Sequence, residues 1–223
     1  MIETAPEPIT VDIVSDVVCP WCYVGKRRLE AAMALRPGVA VDVRWHPFQL
    51  DPAIPPGGLD RRTYMTGKFG SMAAVDALHA RLDEAGREEG LAFAFDRITR
   101  SVNTLDSHRL LTWARPAGVQ NEAKEALMLA YFMDGRDIGD PDVLADIAAS
   151  VGMDADAVRA RLGSDESVEQ VRFEIEQAVQ IGVSGVPFFI FGERFALSGA
   201  QPAEVLARAL DEAGLPADSA AGA

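Results

Sequence analysis

The chain has 223 residues, of which 48% are hydrophobic and 25% charged. This is the composition of a globular protein with enough apolar material for its own core. The formal net charge of −13 repels phosphate backbones and anionic lipid headgroups, which argues against nucleic acids and membrane surfaces as partners. No stretch approaches the roughly 20 apolar residues of a membrane span. The acidic start, with Glu3 and Glu7, lacks the pattern of an export signal, and we therefore expect a cytoplasmic protein.

The N-terminal part of the chain predicts a strand–helix–strand unit. Residues 9–14 alternate and are rich in β-branched side chains, which is typical of a strand. A helical pattern runs over 20–36 and is stopped by Pro37 and Gly38. Residues 39–45 alternate again. A connection through one helix favours two parallel strands in one sheet.

The middle of the chain is predominantly helical. Residues 51–60 are rich in proline and glycine and predict a loop. The helices predicted after this loop cover 71–89, 105–117, 120–134, 141–150 and 154–162, with one extended segment at 91–95.

The C-terminal part predicts a helix, a hairpin and a last helix. Its signals in chain order are Ser164 as a helix cap, a strand at 186–191, a turn at Gly192-Glu193, a strand at 194–197 and Pro202 opening the last helix. Without the helical middle, this order is that of thioredoxin. We therefore predict an α/β protein, a thioredoxin fold with a large all-helical insertion. The predicted thioredoxin-like domain comprises 1–60 and 164–215, the insertion 61–163 and a disordered tail 216–223.

The chain contains two cysteines, Cys19 and Cys22, where the first strand gives way to the first helix. Residues three apart in a first helical turn have Cα atoms roughly 5 Å apart, a spacing that a disulfide accepts. A disulfide closing so small a loop stabilises the fold little, so the pair is interpreted as redox-active. The helix dipole and the free N–H groups of the first turn favour a thiolate on Cys19. We expect Cys19 to be the exposed nucleophile with a lowered pKa, and Cys22 to be the deeper, less acidic, resolving thiol.

A metal site is the weaker interpretation of this pair. Zinc takes about four ligands, whereas the chain has no second pair of cysteines and its three histidines are scattered. No metal is therefore expected.

A second signal is Pro187, which opens a predicted strand after Gly185 and Val186. Proline has no N–H to donate to a neighbouring strand and is therefore unusual inside a sheet. A cis Val186–Pro187 bond, in a turn that faces the cysteines, would explain a proline at the start of this strand. We expect such a turn to offer the backbone of Val186 to a substrate strand.

These residues resemble a known family, the FrnE-like branch of the DsbA family. The resemblance is carried by Ser15-Asp16, by Cys19-Pro-Trp-Cys22 with Gly25-Lys26-Arg27, and by Gly185-Val-Pro187-Phe-Phe189. Further agreement lies at Phe48-Gln49-Leu50, Lys68-Phe69-Gly70, Asn103-Thr104, His108-Arg109, Ala130-Tyr131-Phe132 and Gly199-Ala200-Gln201. The resemblance implies disulfide exchange with protein or small-molecule substrates. It implies no tightly bound cofactor, and glutathione or another thiol as redox partner.

The same superfamily includes 2-hydroxychromene-2-carboxylate isomerases and kappa-class glutathione transferases, which use glutathione. Those enzymes typically carry serine in the position of Cys19 and lack a partner like Cys22, so the two cysteines favour redox chemistry. Trp21 stands where DsbA has a histidine and supplies no positive charge. The substrate, the direction of the reaction and the oligomeric state, with a homodimer as one alternative, stay open.

The substrate site is predicted where the start of the insertion, which follows Phe48 and the proline- and glycine-rich loop, folds over the face that holds Cys19. The predicted wall consists of Trp21, Phe48, Tyr64, Met65, Phe69 and Met72, with backbone contacts from Val186. Burial in the core is the competing interpretation for these aromatic and methionine side chains. Asn103 and His108 are further candidates, His108 as a proton shuttle or as a packed helix residue.

Overall fold

The computed structural model describes residues 7–215. Its strands are β1 (Ile9–Ser15), β2 (Val41–Pro47), β3 (Leu59–Asp60), β4 (Arg100–Ser101), β5 (Phe188–Phe191) and β6 (Phe195–Ser198). Its helices are α1 (Pro20–Ala34), α2 (Arg61–Phe69), α3 (Met72–Glu88), α4 (Leu105–Ala114), α5 (Gln120–Phe132), α6 (Pro141–Ser150), α7 (Ala155–Leu162), α8 (Val168–Gln180) and α9 (Ala203–Ala213). None of the described helices is long and apolar enough to cross a membrane.

One four-stranded sheet has the order β2-β1-β5-β6. Strand β1 is parallel to β2 and antiparallel to β5, and β5 and β6 form a hairpin. The hairpin turn is Gly192-Glu193, and both residues have positive φ, 55° and 57°. Paired positive φ angles give a turn whose twist matches that of the strands. The α/β thioredoxin fold with a helical insertion is confirmed, although the helical part also contains the short β3–β4 pair.

Three local expectations differ from the structure. Residues 91–94 are irregular and lead into a single 3₁₀ turn at Phe95–Arg97, so the extended segment predicted there is wrong. Ser164 does not begin a helix, because its hydroxyl accepts the N–H of Glu166 at 3.2 Å in a turn and α8 starts at Val168. Helix α2 lies in a stretch where no helix was predicted. The predicted disordered tail, 216–223, lies outside the described residues.

Two hydrophobic clusters meet at α1. The sheet cluster lies between the sheet and helices α1 and α9, and contains Val11, Ile13, Leu29, Ala32, Trp45, Phe189, Phe191, Leu206, Ala207, Ala209 and Leu210. The helical cluster is formed by the buried faces of α3 to α7 and by the start of α1, with Cys22, Tyr23 and Val24. The N-terminus of helix α1 is therefore fixed by packing from both directions, although Trp21 of its first turn is 39% exposed.

Arg109 on α4 holds the chain where it returns from the helical part to the sheet. Its side chain is buried, and its guanidinium pairs with Asp106 at 2.7 Å. The remaining N–H groups donate to the backbone carbonyls of Arg161, Leu162, Ser164 and Glu166 at 2.7, 3.3, 2.6 and 2.7 Å. The planar guanidinium carries five N–H donors, and one side chain can therefore supply hydrogen bonds to four backbone carbonyls of this loop.

Replacing Arg109 by methionine should therefore destabilise the protein. The change leaves four carbonyls and one carboxylate without their donor, and we expect a loss of about 3–5 kcal/mol in the free energy of unfolding. Denaturant titration followed by circular dichroism measures it. Asp106→Asn is the matched control and should cost under about 1 kcal/mol, because Asp106 lies at the surface. Equal losses in the two variants would contradict the assignment.

Candidate active site at the start of helix α1

Cys19 is the residue immediately before α1. It has extended backbone angles (φ −93°, ψ 112°), and Pro20 occupies the first helical position, where its missing N–H costs nothing. The N–H of Cys22 donates to the carbonyl of Cys19 at 3.0 Å, which closes the first turn around the pair. Both thiols are free. The N-cap position predicted for Cys19 is thus the one observed.

Both sulfurs lie below the surface. Cys22 is 0% exposed, and Cys19 only 5%. Cys22 is the deeper thiol, as predicted, but Cys19 is less exposed than expected because the backbone of Val186 covers it. The thiol of Cys19 donates to the Val186 carbonyl at an Sγ–O distance of 3.6 Å. Cys19 is therefore the sulfur that an incoming substrate can reach, once it displaces this contact.

The loop before β5 faces the two cysteines. The Val186–Pro187 bond is cis, as predicted. Pro187 packs against Gly25 of α1, where an added Cβ would lie 3.0 Å from Pro187 Cγ and 3.2 Å from the Phe189 ring. A glycine in mid-helix costs stability, and this close approach explains why one is present there. Sequence reasoning quoted Gly25 as part of a motif but gave it no role.

Buried charges surround the pair. Lys124 of α5 is fully buried, and its Nζ has no hydrogen-bond partner among the described residues. Asp16, in the loop before α1, is also buried and accepts the N–H of Leu50 on Oδ2 at 2.8 Å. Its other oxygen lies 3.4 Å from His108 Nε2. A low-dielectric surrounding strengthens the field of each of these charges on the thiols.

The pKa values of the two neighbouring thiols move in opposite directions. The hydrogen bond to Cys22 is the main reason that the pKa of Cys19 is raised well above its ordinary value, and burial adds to it. Burial also acts to raise the pKa of Cys22, but the hydrogen bond from Cys19 and the positive charge of Lys124 outweigh it and leave this pKa lowered. The expectation that Cys19 is the more acidic thiol is therefore wrong for this closed dithiol, whose first negative charge is on Cys22.

A cavity of about 120 Å³ opens beside the first turn of α1. Pro20 forms part of its lining on the α1 side, and Tyr64, Met65 and Phe69 of α2 form part of the opposite wall. These three residues are members of the predicted apolar wall that the fold brings together. Met65 is only 6% exposed, whereas Phe69 is 41% exposed.

The other members of the predicted wall lie elsewhere. Phe48 packs with Val14, Ala178 and Val183, in a cluster that also includes Val186. Trp21 is 39% exposed beside the cysteines, outside the cavity lining. Met72 lines a neighbouring hollow, which it shares with Met65.

The cavity also has a cationic side. Arg61 lines it, and its Nε is buried without a partner in the described part of the chain. Its Nη1 donates to the hydroxyl of Tyr131 at 3.2 Å. No carboxylate of the described residues lies within ion-pair distance of Arg61, although Asp16 and Asp51 line the same cavity. Lys68 also lines the cavity, so charges of both signs lie beside its apolar walls.

Asn103 and His108 hold the loop that forms one edge of the cavity. The side-chain amide of Asn103 donates to the carbonyl of Ile54 at 2.6 Å and accepts from Gln49 at 3.0 Å. His108 is buried, and its Nε2–H donates to the carbonyl of Phe48 at 2.9 Å. Both residues therefore act on the site by positioning backbone.

No group of three or more histidine, cysteine, aspartate or glutamate side chains within residues 7–215 is arranged to hold a metal ion.

Arg61 and Lys124 are the residues that sequence reasoning missed. Lys124 did leave a signal, because Gln120, Lys124, Leu127, Met128 and Tyr131 follow the spacing of one buried helix face. A lysine at such a position is rarely buried without a charged partner. Arg61 left no signal, since it lies in a proline-rich region without periodicity.

The strand order and the dithiol at a helix N-terminus opposite Pro187 define a thioredoxin-fold protein with a two-cysteine site. Residues 10–211 match the model of the DSBA-like thioredoxin domain. The chain therefore belongs to the family of DSBA-like thioredoxin domains.

Relatives agree with this assignment. The chain is 26% identical to the uncharacterized protein YwbO of Bacillus subtilis (strain 168), with 92% of this chain and 96% of that protein covered. The crystal structure of the "probable DsbA oxidoreductase SCO1869" of Streptomyces coelicolor is 37% identical, with a TM-score of 0.82 and coverage of 92% and 89%. The cytosolic disulfide reductase DsbM of Pseudomonas aeruginosa, in its structure with GSH, shares the fold at 23% identity, with a TM-score of 0.63 and coverage of 91% and 98%.

The burial of the two sulfurs predicts selective alkylation. Iodoacetamide added to the reduced native protein should modify Cys19 well before Cys22, because only Cys19 has any exposed surface, and faster as the pH rises, because the thiolate is the reacting form. Peptide mass mapping over time measures both sites. The denatured protein is the control, in which both cysteines should react alike. Equal rates in the native protein would contradict the described geometry.

Proposed function

We propose that the protein is a thiol–disulfide oxidoreductase that exchanges disulfides with protein or small-molecule substrates through Cys19 and Cys22. The observation that carries the proposal is the pair of free thiols at the N-terminus of α1, with one sulfur next to the Val186 carbonyl and the other fully buried. Membership of the family supports an enzyme of the oxidoreductase or isomerase kind. The proposed enzyme needs no tightly bound cofactor and uses glutathione or another thiol as its redox partner.

The proposed reaction consists of two exchanges. In the first, the Cys19 thiolate attacks a substrate disulfide, a mixed disulfide forms at Cys19, and one substrate thiolate leaves. In the second, the Cys22 thiolate attacks the sulfur of Cys19, the Cys19–Cys22 disulfide forms, and the second substrate thiolate leaves. The substrate gains two electrons and takes up two protons that the dithiol loses. The reverse sequence oxidises a substrate dithiol.

The roles of the two cysteines can be tested by single serine variants. Cys19→Ser should lose disulfide reduction in an insulin assay, because no other described thiol reaches the surface. Cys22→Ser should accumulate mixed disulfides with glutathione at Cys19, detectable by mass spectrometry, because the resolving thiol is missing. Full activity of Cys19→Ser would refute the proposal. The redox potential of the wild type then gives the direction, with about −120 mV typical of an oxidant and about −270 mV of a reductant.

We further propose that the cavity beside α1 receives an apolar part of the substrate, with Met65 and Phe69 as contacts and Trp21, Phe48 and Val186 at greater distance along the same approach. The apolar lining supplied by α2 and the position of the cavity next to Pro20 support this. Pro187 shapes the loop that carries Val186, and Asn103 and His108 support the cavity edge.

Two alanine variants separate substrate binding from core packing. Phe69→Ala should raise KM for a peptide disulfide about tenfold, the loss of roughly 1.4 kcal/mol of apolar contact, while the melting temperature stays nearly unchanged. Met65→Ala is the matched control and should cost about 2–5 kcal/mol of stability, because this side chain is buried. A Phe69→Ala protein with a much lower melting temperature and an unchanged KM would refute the binding role.

The alternative function is a glutathione-dependent isomerase or transferase of the 2-hydroxychromene-2-carboxylate isomerase or kappa glutathione transferase type. The observation that favours it is the unpaired Arg61 in a cavity of small-molecule size. Isomerase turnover that persists in Cys22→Ser would support this alternative, because such chemistry does not need a resolving thiol. The cytoplasmic location and the homodimer stay predictions.

A further inference from the structure

Lys124 is a buried cation whose position the packing of α5 fixes. The helix lies against β2, where the side chain of Gln120 accepts the N–H of Trp45 and donates to its carbonyl, both at 3.0 Å. One turn later, the Nζ of Lys124 lies 5.2 Å from the centroid of the Trp45 ring. The side chain is 0% exposed, and α5 lies beside the first turns of α1, because Glu125 accepts a hydrogen bond from the Tyr23 hydroxyl at 2.6 Å and pairs with Lys26 at 2.8 Å.

Neighbouring acids do not neutralise this cation. Glu125, the next residue on α5, is turned away and pairs with Lys26 at 2.8 Å and with Arg27. Within residues 7–215 no carboxylate forms an ion pair or hydrogen bond with Lys124. The charged and titratable groups that face it are Cys22, Asp16 and Cys19, together with the like charge of Lys26. Of these, Cys22 exerts the largest attraction.

A lysine in this position costs stability. Burial without a partner lowers the pKa of Lys124 from its ordinary value to about 8. Because the unfolded chain binds this proton more tightly than the folded chain, the cost is full below pH 8 and disappears as the pH rises towards the unfolded value. A methionine of similar length would fill the same space without that cost. Buried charges that lower stability are found mainly at functional sites.

We propose that Lys124 is the positioning residue of Cys22: its positive charge stabilises the Cys22 thiolate and thereby sets the rate at which Cys22 resolves a mixed disulfide at Cys19. This inference rests on the proposed oxidoreductase function. In the step concerned, the Cys22 thiolate attacks the sulfur of Cys19, the Cys19–Cys22 bond forms and the bond to the substrate sulfur breaks. The electron pair leaves with the substrate thiolate, which takes a proton from solvent. Lys124 touches neither substrate nor leaving group and acts through the charge of Cys22.

If Lys124 has this role, its replacement should slow the second exchange, the attack of Cys22 on Cys19, and leave the first exchange unchanged. Reduced protein mixed with 5,5′-dithiobis(2-nitrobenzoate) should release one nitrothiobenzoate when Cys19 is attacked and a second when Cys22 resolves the adduct. In Lys124→Met, the second release should be about threefold slower at pH 7. A rise of about one unit in the pKa of Cys22 lowers its thiolate fraction about tenfold at pH 7. The higher intrinsic nucleophilicity of the less acidic thiol recovers about a factor of three of this loss.

The pH profile separates this role from a structural one. The difference between wild type and Lys124→Met in the second release should be greatest below pH 8 and should vanish above it, because Lys124 itself then becomes neutral. The variant should also melt at a higher temperature than wild type at pH 7, and this gain should shrink by pH 10. Lys124→Gln, which is neutral and polar, should show the same kinetic change.

Lys26→Met is the matched control. Lys26 is also buried, but it is paired with Glu30 at 2.5 Å and with Glu125, so its loss should lower the melting temperature. Because the like charge of Lys26 lowers the pKa of Lys124, its loss should move the pH dependence of the second release upwards without slowing that release at pH 7.

An unchanged second release in both Lys124 variants overturns the inference. A Lys124→Met protein that melts below wild type, or a slowing that is the same at every pH, overturns it as well. A wild-type protein that releases no second nitrothiobenzoate refutes the proposed function itself.

Discussion

The structure depends on the burial of one helix end between two hydrophobic clusters. Helix α1 packs against the sheet through Leu29 and Ala32, and against the helical part of the chain through Cys22, Tyr23 and Val24. An ordinary helix N-terminus leaves its first N–H groups to water. Here the packing buries Cys19 and Cys22 within that turn, so nearby charges act on the two thiols in a surrounding of low dielectric. The redox chemistry proposed for this pair takes its character from that constraint.

Burial also distinguishes the two sulfurs, Cys19 and Cys22, in their access and in their pKa values. In the proposed reaction Cys19 is the sulfur that contacts the substrate, because Cys22 has no exposed surface. The pKa of Cys22 is lowered, because the interaction with Cys19 and the charge of Lys124 outweigh its burial. In the reduced protein Cys19 therefore keeps its proton, and its thiol lies next to the Val186 carbonyl. A substrate strand that takes over the Val186 contact changes the surroundings of Cys19 at the moment it arrives.

The fold and the reactive pair could be predicted because both rest on local patterns. The spacing of Cys19 and Cys22 and the alternation in the strands need no knowledge of the rest of the chain. The acidity of the thiols could not be predicted, since it depends on Lys124, which is about 100 residues away in sequence and enters the site only through the packing of α5. The same holds for Phe48, which packs with Val14, Ala178 and Val183 instead of lining the cavity beside α1. Local reasoning identifies the reacting atoms, and long-range packing sets their electrostatic surroundings.

The helical part of the chain contributes to the site from two sides. Helix α2 supplies the wall of the cavity beside the first turn of α1, whereas α5 supplies the cation behind Cys22. The two helices are joined by the hydrogen bond from Arg61 of α2 to the hydroxyl of Tyr131 of α5 at 3.2 Å, and both residues line the cavity. Phe69 and Lys124 lie away from this contact, so under the proposed function a change of Phe69 alters the apolar wall of the cavity, whereas a change of Lys124 alters the charge near the dithiol. In that proposal the helical part of the chain contributes both to specificity and to reactivity, while the strands and the cysteines keep the arrangement that the chemistry requires.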